Sequence, residues 1–445
     1  MPYVQADGDR GGGTNLQGNP IEHGRAWMLA LCLAALIAVG VCGEASGRTA
    51  NRSDAAATSA GRASPLPAPV QGAAANALTA AEVAFATDLY RQLAKTSGNV
   101  VFSPSSVSAA LTILLLGADG STASQLRTAL HLGALTDPQI VAAAAALRLR
   151  LAPLAEDPQQ EVVTTDELWP QQGYAISPEF VAAVGTGWAA AVRTLDFANP
   201  TRAASEIDAA VSAATHGLIS QLLSAQTLTP AVDLVVTDAV YLHATWAYPF
   251  DPDQTSPQPF FGTTTEQVAT MRETAQLGYA RDPGYQVVEL PYAGGRLEMT
   301  ILLPDGPLAP LEAQLESGGL TGLTAGVKST TVSLSLPRFT VSFQQTLNDD
   351  LKALGITDAF DPSAADFSGI GPRRLFLSDV VHQAVVKVAE KGTVAAAATG
   401  AVAEPGAVEL SRVAVTVDRP FLFAILDRAT GAPLFLGRVE TPTGS

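Results

Sequence analysis

The sequence predicts an α+β fold, with helices concentrated in the first half of the folded part and strands in the second. Phe85, Leu89 and Leu93 recur at i, i+4 and i+8, a spacing typical of an amphipathic helix. Residues 232–242 combine apolar and β-branched side chains over the length of a strand that is buried on both faces. From Phe260 onward most segments have a strand pattern, and this segregation favours mixed or antiparallel sheets over alternating βαβ units.

The helices are predicted from apolar periodicity and from start and stop signals. Pro104 ends a short apolar run, and the next segment is apolar enough for a buried helix that Gly117 and Gly120 close. One helix is expected among the later strands, ended by Gly355 as a C-terminal cap. The predicted helices span 81–94, 105–116, 123–132, 137–151, 177–188, 201–223 and 345–354.

The strands are predicted from β-branched and aromatic side chains between turn signals. A turn that contains Thr430 and Gly431 connects the last two. The predicted strands span 161–169, 232–242, 286–292, 297–303, 331–337, 338–343, 380–389, 412–417, 421–426 and 434–439.

Length and charge limit the classes of function. By length alone, 445 residues predict about three domains, and 47% apolar residues allow a large core. The chain carries 26 basic and 42 acidic residues, a formal net charge of −16, and the basic residues are scattered. Because nucleic-acid binding requires clustered positive charge, DNA and RNA are not expected as partners.

The N-terminal region has the pattern of a targeting segment. Residues 26–41 are uncharged and mostly apolar, too short for a membrane span of about 20 residues but suitable for a signal peptide. We therefore expect residues 1–43 to be a signal peptide or membrane anchor, and the protein to be extracytoplasmic, secreted or tethered to the cell envelope through this segment alone. Cys42 resembles the lipidated cysteine of a bacterial lipoprotein, although Val41 precedes it where such signals carry a small residue, so lipidation stays open.

The remainder divides into a linker and one domain. Residues 44–76 are rich in Ala, Ser, Gly and Pro without apolar periodicity, which predicts a disordered linker. Residues 77–442 form the globular part. Both cysteines, Cys32 and Cys42, precede it, so its stability cannot depend on disulfides.

Signatures of common enzyme classes are absent from the sequence. Asp366-Phe367-Ser368-Gly369 lacks the leading glycine of a G-x-S-x-G elbow, and none of the lysines follows a serine by three positions, as S-x-x-K requires. No Walker A, G-x-G-x-x-G or H-E-x-x-H motif occurs, and the five histidines are far apart in the chain. We therefore predict that the protein is not an enzyme and uses no cofactor or metal.

Residues 389–406, AEKGTVAAAATGAVAEPG, form an unusual segment with two interpretations. Composition alone favours an Ala/Gly-rich surface loop. Its position after a predicted strand favours a segment that can enter a sheet, because no proline or charge lies between Thr393 and Ala403 and every backbone N–H there is available for a ladder. Alternation would place Thr393, Ala395, Ala397 and Thr399 on one face.

At these residues the chain resembles the serpin family, and the resemblance covers nearly all of the globular part. The similar blocks occur in collinear order. They are NVVFSPSS at 99–106, DAVY at 238–241 with Trp246 and Phe250, LPY at 290–292, LPRF at 336–339, ADFSG at 365–369, HQA at 382–384, EKGT at 390–393, RPFLF at 419–423 and LFLGRV at 434–439.

The resemblance implies three β-sheets, eight to nine helices and an exposed reactive-centre loop, about 390–411 here. It further implies an irreversible suicide-substrate inhibitor of serine endopeptidases, which traps the acyl-enzyme when its cleaved loop inserts into the central sheet. A non-inhibitory serpin that acts as a protein-binding or chaperone-like module is the alternative. We expect a monomer.

The resemblance also assigns positions along the loop. Counting from the hinge glycine, Gly392, places the reactive bond between Gly406 and Ala407, within a window of 403–408. This window contains no Arg or Lys, which favours an elastase-like or subtilisin-like target over a trypsin-like one; Glu404 leaves a glutamate-directed protease open, and a cysteine protease is possible. The implied hinge comprises Glu390, Lys391, Gly392, Thr393, Val394, Ala395, Ala396, Ala397, Ala398 and Thr399.

Five further residues match positions that control the opening of the family's central sheet: Ser103, Ser106, Asp238, Trp246 and His382. Structural roles are open for four of them: a helix cap for Ser103 and Ser106, and core packing for Trp246 and His382. Asp238 stands where the family has Asn. We therefore expect a buried carboxylate to face His382 and to favour the imidazolium.

Overall fold

The computed structural model describes residues 72–157, 159–223, 228, 234–393 and 412–443. This part of the chain contains eight α-helices and fifteen strands. Residues 1–43, nearly all of the predicted linker, and Val394–Thr399, Gly406 and Ala407 of the predicted loop lie outside it. In the described residues no helix is long and apolar enough to cross a membrane.

Helices begin where the sequence supplies caps. Ser103, Ser177 and Asn199 each accept a backbone N–H through the side chain, and proline occupies one of the first two helical positions after each of them. The helices are α1 Ala73–Leu93, α2 Pro104–Leu115, α3 Gly120–Ala129, α4 Asp137–Leu151, α5 Pro178–Trp188, α6 Pro200–Ala214, α7 Ala309–Leu323 and α8 Asn348–Ala353.

Several predicted helix boundaries were wrong. α1 begins at Ala73, inside the tract assigned to the linker, because its alanine-rich start continues the helix without a break. α6 ends at Ala214 instead of residue 223, since His216 adopts a left-handed φ of 50°. α7 was not predicted at all; its glycines, with Gly319 at a φ of 67°, weaken the helical pattern.

The strands are β1 Val100–Phe102, β2 Gln160–Pro170, β3 Ala191–Val192, β4 Leu234–Thr245, β5 Ser256–Phe261, β6 Thr265–Asp282, β7 Tyr285–Pro291, β8 Leu297–Pro304, β9 Lys328–Pro337, β10 Phe339–Thr346, β11 Asp379–Ala389, β12 Gly392–Thr393, β13 Val413–Thr416, β14 Phe421–Asp427 and β15 Pro433–Val439. α8 is shorter than predicted because β10 extends to Thr346.

Six strands form a central sheet in the order β10-β11-β12-β4-β2-β3. β11 and β4 pair directly and in parallel, with residues 379–384 opposite 235–240. Further along, the two strands separate, and the two-residue strand β12 lies between them, antiparallel to both. The central sheet therefore has a gap that is closed at one end and already entered at the other.

The other nine strands form the path β1-β15-β14-β8-β7-β6-β9-β13, with β5 paired to β6. Strand β6 is shared: residues 265–270 pair with β5, 270–279 with β9, and 278–282 with β7. Through β6, these nine strands form one continuous hydrogen-bonded sheet beside the central one.

Helix α2 positions the site because it packs against β4 of the central sheet and β15 of the nine-stranded one. Its side chains Val107, Leu111 and Leu114 are fully buried. An aromatic cluster connects the two sheets nearby, with the ring of Phe339 on β10 at 5.6 Å from Phe421 and 5.5 Å from Phe423 on β14. The apolar core is therefore continuous between the two sheets.

Candidate functional site

The first described part of the predicted hinge, Gly392 and Thr393, already lies in the central sheet. Gly392 is opposite Ala389 on β11 and Thr245 on β4, and Thr393 is opposite Val388 and Ala244. Gly392 has a φ of 151°, and an added Cβ would collide with the carbonyl oxygen of Ala244, so only glycine fits. Thr393 is fully buried, and its hydroxyl lies 2.6 Å from that of Tyr292.

Trp246 holds the base of the loop. Its indole stacks on Tyr292 with the ring centroids 4.5 Å apart and an interplanar angle of 10°. The indole Nε1 donates to the carbonyl oxygen of Ala389 at 2.9 Å. The backbone N–H of Trp246 donates to the carbonyl oxygen of Lys391, also at 2.9 Å. Trp246 is thus a packed core residue, and it also forms two hydrogen bonds to the chain that leads into the loop.

Glu390 is the charged anchor at this end of the sheet. Its carboxylate accepts hydrogen bonds from Nε of Arg338 and from the hydroxyl of Thr255, both at 2.6 Å. Burial acts to raise the pKa of Glu390, but the hydrogen bonds from Arg338 and Thr255 outweigh it and leave this pKa below its ordinary value. Glu390 is therefore ionised, and it is fixed between Arg338, which precedes β10, and Thr255, which precedes β5.

Four of the predicted control residues meet beneath the gap. Ser103 is the N-cap of α2 and accepts the backbone N–H of Ser106 at 3.3 Å, so the capping role is confirmed. The backbone N–H of Ser103 donates to Nε2 of His382 at 3.1 Å, and Nδ1 of His382 lies 3.1 Å from Oδ2 of Asp238. The hydroxyl of Ser106 donates to Oδ1 of Asp238. This cluster, which we call the shutter cluster, connects α2, β4 and β11.

The shutter cluster corrects one expectation. Asp238 does face His382, as expected, but Nε2 of His382 accepts a backbone N–H and therefore carries no proton itself. The imidazole is the neutral tautomer with its proton on Nδ1, directed at Asp238. The expected imidazolium is not formed, because the backbone N–H of Ser103, just before α2, donates to the second ring nitrogen.

A second buried carboxylate, Asp166, lies beside the shutter cluster and was not found from the sequence. Asp166 on β2 is the cross-strand partner of Asp238, and no partner is found for its Oδ1 among the described residues. Burial raises the pKa of Asp238, and the hydrogen bond from His382 opposes this shift. Burial and then the charge of Asp238 raise the pKa of Asp166 well above its ordinary range. Ionisation of Asp238 therefore disfavours ionisation of Asp166.

The remaining predicted residues divide by location. Lys391 supplies the backbone carbonyl that Trp246 contacts, whereas the hinge residues Val394–Thr399 and the reactive bond lie outside the described residues. Sequence reasoning missed Arg338, Thr255 and Asp166 as parts of the site. Arg338 belongs to the LPRF block at 336–339, which is similar to the serpin family. Its contact with Glu390 joins residues far apart in the chain and cannot be deduced from local patterns.

The chain matches the family model described as Serpin (serine protease inhibitor) over residues 80–442. An uncharacterized serpin-like protein of Thermococcus kodakarensis is 35% identical over 366 residues, which cover 80% of this chain and 84% of that protein. Leukocyte elastase inhibitor A of Mus musculus is 34% identical over 390 residues, with 82% of this chain and 99% of the mouse protein covered.

A solved structure is similar as well. Serpin48 of the insect Tenebrio molitor, described as a highly specific serpin, aligns with a TM-score of 0.73 at 26% identity, covering 82% of this chain and 98% of the insect chain. The fold with its split central sheet defines the class, and the family match establishes it. The chain belongs to the serpin family of serine protease inhibitors.

Proposed function

We propose that this serpin is an irreversible suicide-substrate inhibitor of serine endopeptidases, which it traps by inserting its cleaved loop between β4 and β11. The observation that carries the proposal is β12. Gly392 and Thr393, the start of the predicted hinge, already form antiparallel pairs with both neighbouring strands. Insertion would extend an existing strand and would need no new nucleation.

The chemical step belongs to the protease. Its serine Oγ would attack the carbonyl carbon of Gly406, the bond to the nitrogen of Ala407 would break, and that amine would leave with a proton from the protease. The acyl-enzyme ester then joins the protease to the free end of the loop. Insertion before water hydrolyses this ester would carry the protease with the loop.

The energetics of insertion follow from the strand pairings. The parallel pairing of 379–384 with 235–240 would be replaced by two antiparallel ladders, one on each side of the new strand. Each added backbone hydrogen bond contributes about 0.5–1.5 kcal/mol. The small side chains of Ala395–Ala398 contribute little apolar burial but cause no steric conflict, so ladder completion supplies most of the driving force.

The target is proposed from the loop sequence. The window 403–408 offers Gly, Ala and Val and no basic residue, which suits a protease with a narrow, uncharged specificity pocket. The similarity to leukocyte elastase inhibitors supports an elastase-like target. A subtilisin-like protease with the same preference is the second proposed class of target. The apolar stretch 26–41 supports an extracytoplasmic location.

The test is incubation with purified elastase-like and subtilisin-like proteases. We expect a covalent adduct that survives denaturing electrophoresis, with mass spectrometry placing the new C-terminus at or near Gly406. Cleavage of the loop by a non-target protease should raise the melting temperature sharply, because insertion completes the central sheet. Cleavage without an adduct and without a change in melting temperature would reject the inhibitory mechanism and favour a non-inhibitory, protein-binding serpin.

A further inference from the structure

A cavity of about 310 Å³ lies beside the shutter cluster, and Ser106 and Asp166 are among its lining residues. Its walls come from α1, α2, α4, β2, the end of α5 and the turn between β14 and β15. This volume is within the range of small-molecule sites, which are mostly apolar with a few polar groups. The apolar wall is formed by Ala109, Ala144, Leu147, Leu151, Val162 and Leu434.

Of the charged groups that line the cavity, some have hydrogen-bond partners within the described residues and others do not. Arg150 on α4 donates to both carboxylate oxygens of Asp427 at 2.8 Å, and Arg148 donates to the carbonyl oxygen of Gly187 at 3.4 Å. Glu82 on α1 is only 9% exposed and has no hydrogen-bond or ion-pair partner among the residues described. The cavity therefore presents an uncompensated carboxyl group, while its two arginines and Asp427 are already engaged.

A second carboxyl group lies in the same wall. Asp166 on β2 lines the cavity and is also 9% exposed, and its Oδ1 finds no partner in the described part of the chain. Buried polar groups are normally hydrogen-bonded, and an unpartnered one in a cavity of this size indicates that something else supplies the partner. A cation with an apolar body would pair with Glu82 and bury its hydrocarbon part against the apolar wall.

We propose that this cavity binds a small amphiphilic amine, with its ammonium group against Glu82 and its hydrocarbon chain against Leu147, Leu151 and Val162. An anionic ligand would meet carboxyl groups and would have to break the Arg150–Asp427 pair. A neutral ligand would form no charge-assisted contact with Glu82.

Proton linkage supports this assignment. Burial raises the pKa of Glu82 to about 8, so the carboxyl group is largely protonated at neutral pH. The charged groups that line the cavity with it are Asp166 on β2, Arg148 and Arg150 on α4, and Asp427 at the end of β14. An ammonium ion binds the ionised form, so binding releases a proton and tightens as pH rises toward and through about 8.

The probe is n-hexylamine, compared with 1-hexanol and hexanoate by isothermal titration calorimetry on the full chain. We expect hexylamine to bind at least tenfold more tightly than either analogue, with affinity that increases from pH 6 to pH 8.5 and proton release visible across buffers of different ionisation enthalpy. Equal binding of the three compounds, or pH-independent hexylamine binding, would overturn the proposal.

Variants locate the site. Glu82→Gln keeps the shape of the side chain but cannot ionise, so it should fold normally and bind hexylamine at least tenfold more weakly, the loss expected for a charge-assisted contact. Glu316→Gln, at an exposed position of α7, is the matched control and should bind like the wild type. Ala109→Leu should fill the cavity and abolish binding. Retained affinity in Glu82→Gln or in Ala109→Leu would place the amine elsewhere and refute the site.

Discussion

The Nδ1 atom of His382 lies 3.1 Å from Oδ2 of Asp238, and the same two residues are register partners in the parallel pairing of β11 with β4. A strand that entered the full length of this gap would have to separate them. The start of α2 is involved as well, because the N–H of Ser103 and the hydroxyl of Ser106 complete the hydrogen bonds of the pair. The shutter cluster thus stabilises the closed sheet against the insertion that the proposed function requires.

His382→Gln should therefore loosen the closed sheet. The substitution leaves the buried N–H of Ser103 and the carboxylate of Asp238 without their imidazole partner, at a cost of about 1–3 kcal/mol for each unsatisfied group. We expect a lower melting temperature of the uncleaved protein and faster spontaneous conversion to forms with an inserted loop. Thermal unfolding and native electrophoresis over time measure the two effects.

His243→Gln is the matched control for that variant, because His243 lies on β4 but is partly exposed. It should leave both melting temperature and conversion rate close to those of the wild type. A His382→Gln protein that melts like the His243→Gln control would show that the imidazole does not hold the sheet closed.

Asp166→Asn should stabilise the protein at alkaline pH. The pKa of Asp166 is raised by burial and by Asp238, so the folded state keeps a proton that the unfolded state has lost. Stability associated with this group is complete below its unfolded pKa and decreases as pH rises through the folded one. Asparagine never ionises, so the variant should gain about 1–3 kcal/mol over the wild type at high pH.

The measurement is urea unfolding of both proteins from pH 3 to pH 9, a range that begins below the ordinary Asp pKa of about 3.9. The stabilities should be similar at the acidic end and diverge as pH increases. Asp361→Asn is a suitable control, since Asp361 is exposed and hydrogen bonds from Ser363 lower its pKa. A constant difference between Asp166→Asn and the wild type at every pH would contradict the assignment of a raised pKa to Asp166.

The sequence predicted the parts of the site that lie within collinear motifs and missed those that depend on cross-strand neighbours. Ser103, Ser106, Asp238 and His382 were found together because each belongs to a motif. Asp166 was missed because β2 carries no such motif, and its proximity to Asp238 depends on the register of two strands far apart in the chain. The predicted protonation state of His382 was wrong for a similar reason, because a backbone donor such as the N–H of Ser103 cannot be recognised from the sequence.

The same distinction applies to the fold. Buried strands such as β4 and β11 were predicted within a few residues, because β-branched side chains mark them directly. β1 and β12 contain only three and two residues, too few for a periodic pattern, and they are strands only because β15, β11 and β4 lie beside them. Tertiary pairing defines such elements.

Trp246 should report loop insertion by fluorescence. Its indole donates to Ala389 and stacks on Tyr292, whose hydroxyl contacts Thr393, so the ring senses both the base and the first residues of the loop. We expect cleavage of the loop to change tryptophan emission in the wild type and to change it much less in Trp246→Phe. The variant should also lose about 1–2 kcal/mol of stability through the missing hydrogen bond and stacking contact.

Trp188 provides the comparison, because it lies at the end of α5, away from β12. Trp188→Phe should retain the emission change on loop cleavage. If the change survived in Trp246→Phe and vanished in Trp188→Phe, the proposed coupling between Trp246 and the inserting strand would be incorrect.

Thr393→Arg should convert the inhibitor into a substrate. Thr393 is fully buried between β11 and β4, and its hydroxyl contacts Tyr292, so an arginine there would bring a charge into the path of the inserting strand. Burying an unpaired charge costs several kcal/mol, and slowing insertion by about 3 kcal/mol would reduce its rate roughly a hundredfold. Deacylation would then precede insertion, and the protease would be released active. The measurement is the ratio of cleaved serpin to covalent adduct, which should rise steeply. Thr393→Ser retains the hydroxyl and the small size and should behave like the wild type, whereas an unchanged adduct yield in Thr393→Arg would rule out insertion through β12.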